Sequence, residues 1–382
     1  MTKKQDFRTT QVLEYLAIVG EATTDDIADF FNTPAYIKKL ITNAKKDKVL
    51  KERRKDKKIF LSLSAKGKKE LLIRYTGKYG LFFSGSNDLN KLHNDISRTD
   101  RRKKLIHLLK ILGQSNVKVL PSEKQLLFID SSRSAADGAD GSRLEFYTSQ
   151  ELKILFPEYK CARGSRALGI LINKSSFYVI YYADDSKIIW KEETERSFAV
   201  RTENYIARFV SGTPNPVSAI LFSNNVETAV GFMKRMNNES DNSICRSKDI
   251  SRLIFAKISE EDETLRLITD NENIPKTLKA IFSGGGEVVI KSLDADGESR
   301  DGPYICAFDS DIKRIGRFIV NCALNNRNGV VICFDYQTEY IELFIEACRE
   351  DFKRYNTDFC IRVVSKSIEE YRRQYIEEQK DY

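Results

Sequence analysis

The chain has 382 residues, of which 41% are hydrophobic and 31% charged, a length and composition that exclude a disordered chain or a single ordinary core and favour two or three globular domains. Its net charge of +8 is unevenly placed: the first 75 residues carry 18 Lys and Arg against 10 Asp and Glu, whereas the remainder divides 45 against 45. A basic module on a neutral body points to a polyanion contacted at one end, with double-stranded DNA the leading candidate.

Residues 6–19 place Val12, Leu13, Leu16, Ala17 and Val19 at helical spacing, which predicts a first amphipathic helix. In EATTDDIADFF, Thr24 is expected to cap a second helix starting at Asp25, with Ile27, Ala28 and Phe31 inward. A turn at Asn32 leads to Thr33-Pro34, a cap followed by proline at the first helical position, and to a third helix running to about Asp47. There Ile37, Leu40, Ile41 and Ala44 form the buried stripe and leave Tyr36, Lys38, Lys39, Thr42, Asn43, Lys45 and Lys46 on the free face.

Three short helices with a basic third match a helix-turn-helix, whose last helix enters the major groove. Next comes Val49-Leu50, the charged stretch KERRKDKK, read as a basic turn, and the alternating strand Ile59 to Leu63, together a wing. Ser64 is expected to cap another helix, and FLSLSAKGKKELL resembles the tyrosine/phenylalanine-x-leucine-threonine/serine-x-x-glycine motif that ends the wing in many bacterial winged-helix proteins. Tyr36, Lys39 and Asn43 are candidates for base edges. Arg53, Arg54, Lys55, Lys57 and Lys58 suit phosphate or the minor groove, and Lys38, Thr42 and Lys46 complete the candidate DNA-binding set.

A basic helix is expected over residues 89–112, carrying both histidines, His93 and His107, as packed or surface residues, and SSRSAADGADGS at 131–142 reads as a mobile loop. Strands are expected at 167–172, 177–182 and 187–192, followed by a helix at 202–210, a strand at 217–222, a helix at 226–236 and a strand at 253–258. The alternation continues with helices near 312–324 and 339–352, strands at 329–334 and 359–364, and a helix from Ser367 onward. Strands separated by helices of this length favour parallel pairing.

Seven cysteines without a C-x-x-C pair are expected to be buried thiols, and two histidines are too few for a zinc or thiol-catalytic site, so neither metal nor cofactor is expected. No run approaches the roughly 18 to 20 apolar residues of a spanning helix. The opening MTKKQDFRTTQ lacks a signal peptide's apolar stretch, so a cytoplasmic protein without membrane contact is expected. Ser283-Gly284-Gly285-Gly286 reads as a hairpin turn, because it lacks the phosphate-loop ending.

The winged helix, the helix LHNDISRTDRRKKLIHLL, the segment LPSEK at 120–124 and the strand pair RGSRALGILINKSSFYVIYY together resemble the replication-relaxation family of bacterial mobile elements, over roughly residues 7–270. The resemblance implies an α/β (α+β) protein, an N-terminal winged helix-turn-helix followed by a restriction-endonuclease-like α/β body, associated with plasmid or conjugative-element replication or transfer. The expected organisation is a winged helix over 1–80, a helical connector and loop over 81–142, a nuclease-like domain over 143–270 and a C-terminal α/β region over 271–382.

A nuclease of that fold needs an acid at a strand end and an acid-x-lysine on the next strand. Here the lysine of Trp190-Lys191-Glu192-Glu193 precedes the acids, Asp184 and Asp185 lie in a turn, Glu287 and Lys291 suit an ion pair, and Asp309-Ser310-Asp311-Ile312-Lys313 reads as a helix cap. No catalytic residue is therefore assigned, and the body is expected to supply homodimer or protein contacts. The rival readings are a transcriptional regulator with a sensing body and a metal-dependent nuclease using Asp184, Glu192 or Asp311.

Overall fold

The computed structural model describes residues 3–74, 79, 83, 96–115, 117–124, 144–155, 165–172, 177–183, 192–207, 217–236, 250–258, 293–352 and 359–367. The expected loop at 131–142, the turn at 283–286, Glu287, Lys291, Asp184, Asp185, His93 and the helix beyond Ser367 lie outside these residues. Within them the chain is a mixed α/β protein that divides into two compact units, Met1–Tyr182 with Ser197–Asn215, and Ala183–Arg196 with Pro216–Tyr382.

The first unit opens with helix α1 (Lys3–Val19), which Gly20 ends with a left-handed φ of 82°. The expected single apolar face understates its burial. Every residue from Thr10 to Ala22 is buried, including Glu14, whose carboxylate accepts hydrogen bonds from the Tyr79 and Ser122 hydroxyls at 2.5 Å each. A buried carboxylate needs such donors, because unpaired it would be strongly destabilising.

Strand β1 (Ala22–Thr23) leads into α2 (Thr24–Phe31). The helix starts one residue earlier than expected, with Thr23 as the cap: its side chain accepts from the Asp26 amide while the Asp26 carboxylate accepts from the Thr23 amide. This reciprocal capping box is favoured over the expected Thr24 cap because it satisfies two free amide donors at once.

Asn32, at a φ of 49°, closes α2, and Pro34 occupies the first turn of α3 (Pro34–Lys46). Its buried residues are Ile37, Leu40, Ile41 and Ala44, as the spacing predicts. Strands β2 (Leu50–Lys55) and β3 (Lys58–Leu63) form an antiparallel hairpin with β1 on the far side of β3. The stretch read as a turn is thus mostly strand. Only Asp56 and Lys57 turn, both at positive φ, 48° and 61°, as a two-residue hairpin loop of the primed type requires.

Helix α4 (Ala65–Arg74) follows, and the Ser64 hydroxyl accepts from the Gly67 amide, the expected cap. The glycine of the motif has a steric cause: a Cβ at Gly67 would stand 2.3 Å from the Val49 carbonyl oxygen. Helix α5 (Ile96–Gln114) supplies the basic connector, and Lys110 on it pairs with Asp29 of α2 at 3.5 Å. His107 is a packed residue, its Nδ1 2.7 Å from the Tyr182 hydroxyl.

The unit continues with β4 (Glu145–Thr148), α6 (Ser149–Leu155), β5 (Gly169–Ile172) and β6 (Phe177–Ala183), whose strands pair antiparallel in that order. A Cβ at Gly169 would meet the Tyr147 carbonyl at 2.1 Å, so the β4 to β5 approach requires glycine. Helix α7 (Glu192–Ile206) then crosses the division between the units. The strand expected at 187–192 lies outside the described residues except for Glu192, which opens this helix ten residues before the expected helix start.

The second unit contains β7 (Ser218–Ser223), α8 (Val226–Met236) and β8 (Arg252–Lys257), with β7 and β8 parallel. A second sheet runs in the order β12, β11, β10, β9, from β9 (Gly297–Ser299), β10 (Gly302–Cys306), β11 (Gly329–Phe334) and β12 (Ile361–Lys366). Its last three strands are parallel, joined by α9 (Ile312–Leu324) and α10 (Thr338–Phe352), as the strand and helix alternation leads one to expect. Of the cysteines described, Cys306, Cys322, Cys333 and Cys348 are buried, and burial pushes the Cys333 and Cys348 thiols up to about 12. Cys360 departs from the expectation: it is exposed.

Candidate functional site

The free face of α3 is solvated along its length. Tyr36, Lys38, Lys39, Thr42 and Lys46 are exposed and Asn43 and Lys45 are half-buried, because the four apolar positions turn the opposite side into the core. Thr42 donates its hydroxyl to the Lys38 carbonyl at 2.9 Å, which leaves an acceptor lone pair outward. Lys38 stands 3.8 Å from Asp25, both exposed, and Lys45 pairs with Glu52 on β2.

The hairpin has two distinct faces, since antiparallel partners share a side and successive pairs alternate. The pairs Leu50 with Leu63, Glu52 with Leu61 and Arg54 with Ile59 lie on one face. Its base is core, with Leu50, Leu61 and Leu63 buried, and its tip is solvated, with Arg54 exposed and Ile59 41% exposed. The Lys45 to Glu52 pair joins this face to α3.

The opposite face carries Lys51 with Ser62, Arg53 with Phe60, and Lys55 with Lys58. Arg53 is committed to the protein. Its Nε and Nη2 donate to the two carboxylate oxygens of Glu21 at 3.2 and 2.6 Å, and its guanidinium lies 5.9 Å over the Phe60 ring. Arg102 of α5 donates to the same carboxylate. Burial pushes the Arg102 guanidinium below its ordinary range, opposed by Glu21.

Of the eleven sequence candidates, Tyr36, Lys39, Asn43, Lys46, Arg54, Lys55, Lys57 and Lys58 make no ion pair among the described residues. Lys39, Lys46, Arg54, Lys57 and Lys58 are the exposed cations of that group. Lys48 and Lys51, which the sequence reading left out, are exposed and unpaired in the same sense, and extend the basic surface toward the base of the hairpin.

Of the acids considered for metal chemistry, Asp309 and Asp311, whose side chains are described, have structural roles. Asp311 caps α9, accepting at 3.1 Å from both the Lys313 and Leu253 amides, and its carboxyl is pushed up to about 6 by burial and by neighbouring Asp309. Lys313 is buried and its ammonium donates to the Ile250 carbonyl at 2.6 Å, while Asp309 pairs with Arg252 at 3.1 Å. Asp335 accepts from the Tyr336 amide as a short helical turn begins. Among the described residues, no group of three or more His, Cys, Asp or Glu side chains is placed to hold a metal ion, and no helix is long and apolar enough to cross a membrane.

Comparison with protein-family models, with curated proteins and with solved structures gives no match.

Proposed function

We propose that the chain is a double-stranded DNA-binding protein whose N-terminal module works as a winged helix. Helices α2 and α3 are the helix-turn-helix, α3 lies in the major groove with Tyr36, Lys39 and Asn43 toward base edges, and the β2–β3 hairpin is the wing. The body acts as a restriction-endonuclease-like scaffold for protein contacts or dimerisation, without catalysis of its own. In keeping with the family resemblance, the site bound belongs to a plasmid or conjugative element and the role is in replication or transfer.

The observation that carries the reading is the division of α3 into a buried apolar stripe and a solvated cationic face, next to a hairpin tip with Arg54, Lys57 and Lys58 exposed. From residue 33 to residue 58 the chain has 11 Lys and Arg against 3 Asp and Glu. Such a face attracts a polyphosphate backbone and releases its counterions.

Fluorescence anisotropy with a labelled 25-base-pair duplex tests the proposal. If about six phosphates are neutralised, log affinity falls with log salt at a slope of about −5, roughly a thousandfold between 50 and 200 mM. A slope near zero, or saturation absent at low salt, would sink it.

A further inference from the structure

We infer that Glu21 is the positioning residue of the hairpin: its buried carboxylate, shared by Arg53 of β2 and Arg102 of α5, fixes the hairpin and withholds Arg53 from DNA, leaving Arg54 on the opposite face as the arginine that meets the phosphate backbone. The inference rests on the DNA-binding reading and specifies which of the two adjacent arginines does the binding.

Three observations converge on it. The Glu21 side chain is 5% exposed, the Arg102 side chain 10% and the Arg53 side chain 30%, so the shared carboxylate lies inside the protein, where charges attract more strongly than in water. Arg53 engages through two nitrogens, a bidentate fork that holds the guanidinium in one orientation. The strand register then decides the rest. Arg53 pairs with Phe60 on one face, and Arg54 pairs with Ile59 on the other, the face that Lys45 and Glu52 tie to α3.

Adjacent arginines therefore have opposite duties. Arg53 spends its charge on Glu21, and Arg54 keeps its charge for a ligand. A carboxylate that takes a cation out of circulation lowers the affinity for any polyanion, and it also fixes the angle of the hairpin, which favours one DNA geometry over others. Releasing Arg53 should then add non-sequence-specific affinity.

The experiment compares Arg53→Ala, Arg54→Ala, Glu21→Gln and the double variant Glu21→Gln/Arg53→Ala in salt titrations on a random-sequence duplex, with backbone amide exchange recorded on each free protein. Arg54→Ala is expected to make the slope shallower by about 0.9, and Arg53→Ala to leave it unchanged. Glu21→Gln is expected to steepen the slope by about 0.9, and the double variant to return it to the wild-type value, a reversal that loss of folding alone would not produce. Exchange at the Phe60 and Leu61 amides is expected to rise about tenfold in Glu21→Gln, because the hairpin loses its anchor.

Arg53→Ala reducing the slope as much as Arg54→Ala would overturn the inference while leaving DNA binding intact. Unchanged exchange in Glu21→Gln would overturn the anchor whatever the DNA result. Absence of salt-dependent duplex binding by the wild type would instead overturn the DNA-binding reading, and the exchange data would still decide whether Glu21 anchors the hairpin.

Discussion

Replacing Lys39, Lys46, Arg54 and Lys58 together by alanine is expected to weaken duplex binding about a thousandfold near 0.1 M salt and to flatten the salt slope by about 3.6, at about 0.9 per lost phosphate contact. All four side chains are exposed and none makes an ion pair among the described residues, so the fold has little to lose. Surface substitutions of this kind typically shift stability by within about 0.5 kcal/mol each. Anisotropy titrations paired with thermal unfolding separate the two effects: affinity should collapse while the melting temperature stays nearly constant. Comparable binding by wild type and variant would place the DNA elsewhere.

Lys124→Met is expected to be the most damaging single substitution in the first unit. The Lys124 and Glu151 side chains are both fully buried and paired with each other. The ammonium also donates to the Phe146 carbonyl at 2.9 Å and lies 4.7 Å over the Tyr147 ring. Burial pushes Lys124 below its ordinary range, and the Glu151 carboxylate opposes that shift. Removing the cation strands a buried carboxylate, which costs about 3–5 kcal/mol.

Glu151 also accepts from the Thr148 amide at 2.7 Å, where it caps α6. Gln can keep that bond without a charge. The double variant Lys124→Met/Glu151→Gln should therefore recover much of the loss, since no unpaired charge is left inside. Urea unfolding of the two variants checks both statements, and a double variant no more stable than Lys124→Met would contradict this view of the pair.

How much of this was legible in the sequence depends on the range of the interactions. The α3 stripe was fully legible, because Ile37, Leu40, Ile41 and Ala44 follow a local period that a single helix obeys. The same holds for α8, α9 and β11, whose boundaries match the sequence reading. Burial of α1 on all sides was not legible. It depends on packing by α3, α4, α5 and β3, and the partners of Glu14 lie 65 and 108 residues away.

The hairpin shows the same limit for charge. KERRKDKK lacks the alternation of a half-buried strand and has no glycine at its turn, so cross-strand pairing alone makes it β2. Composition counts Arg53 with Arg54. Only the register, together with a carboxylate 32 residues upstream and an arginine on α5, separates their roles. The sequence offered one usable sign: Glu21 follows Gly20 at the end of α1, an acid in an otherwise apolar run.

Lysine acetylation measured with and without a bound duplex tests the proposed docking face most directly. Protection is predicted at Lys39, Lys46, Lys57 and Lys58, fading as salt is raised, while Lys234 and Lys257 of the second unit react equally in both states. Unchanged reactivity at Lys39 and Lys58 in a complex that has formed, or protection centred on the second unit, would contradict the assignment of α3 and the hairpin tip as the surface that DNA contacts.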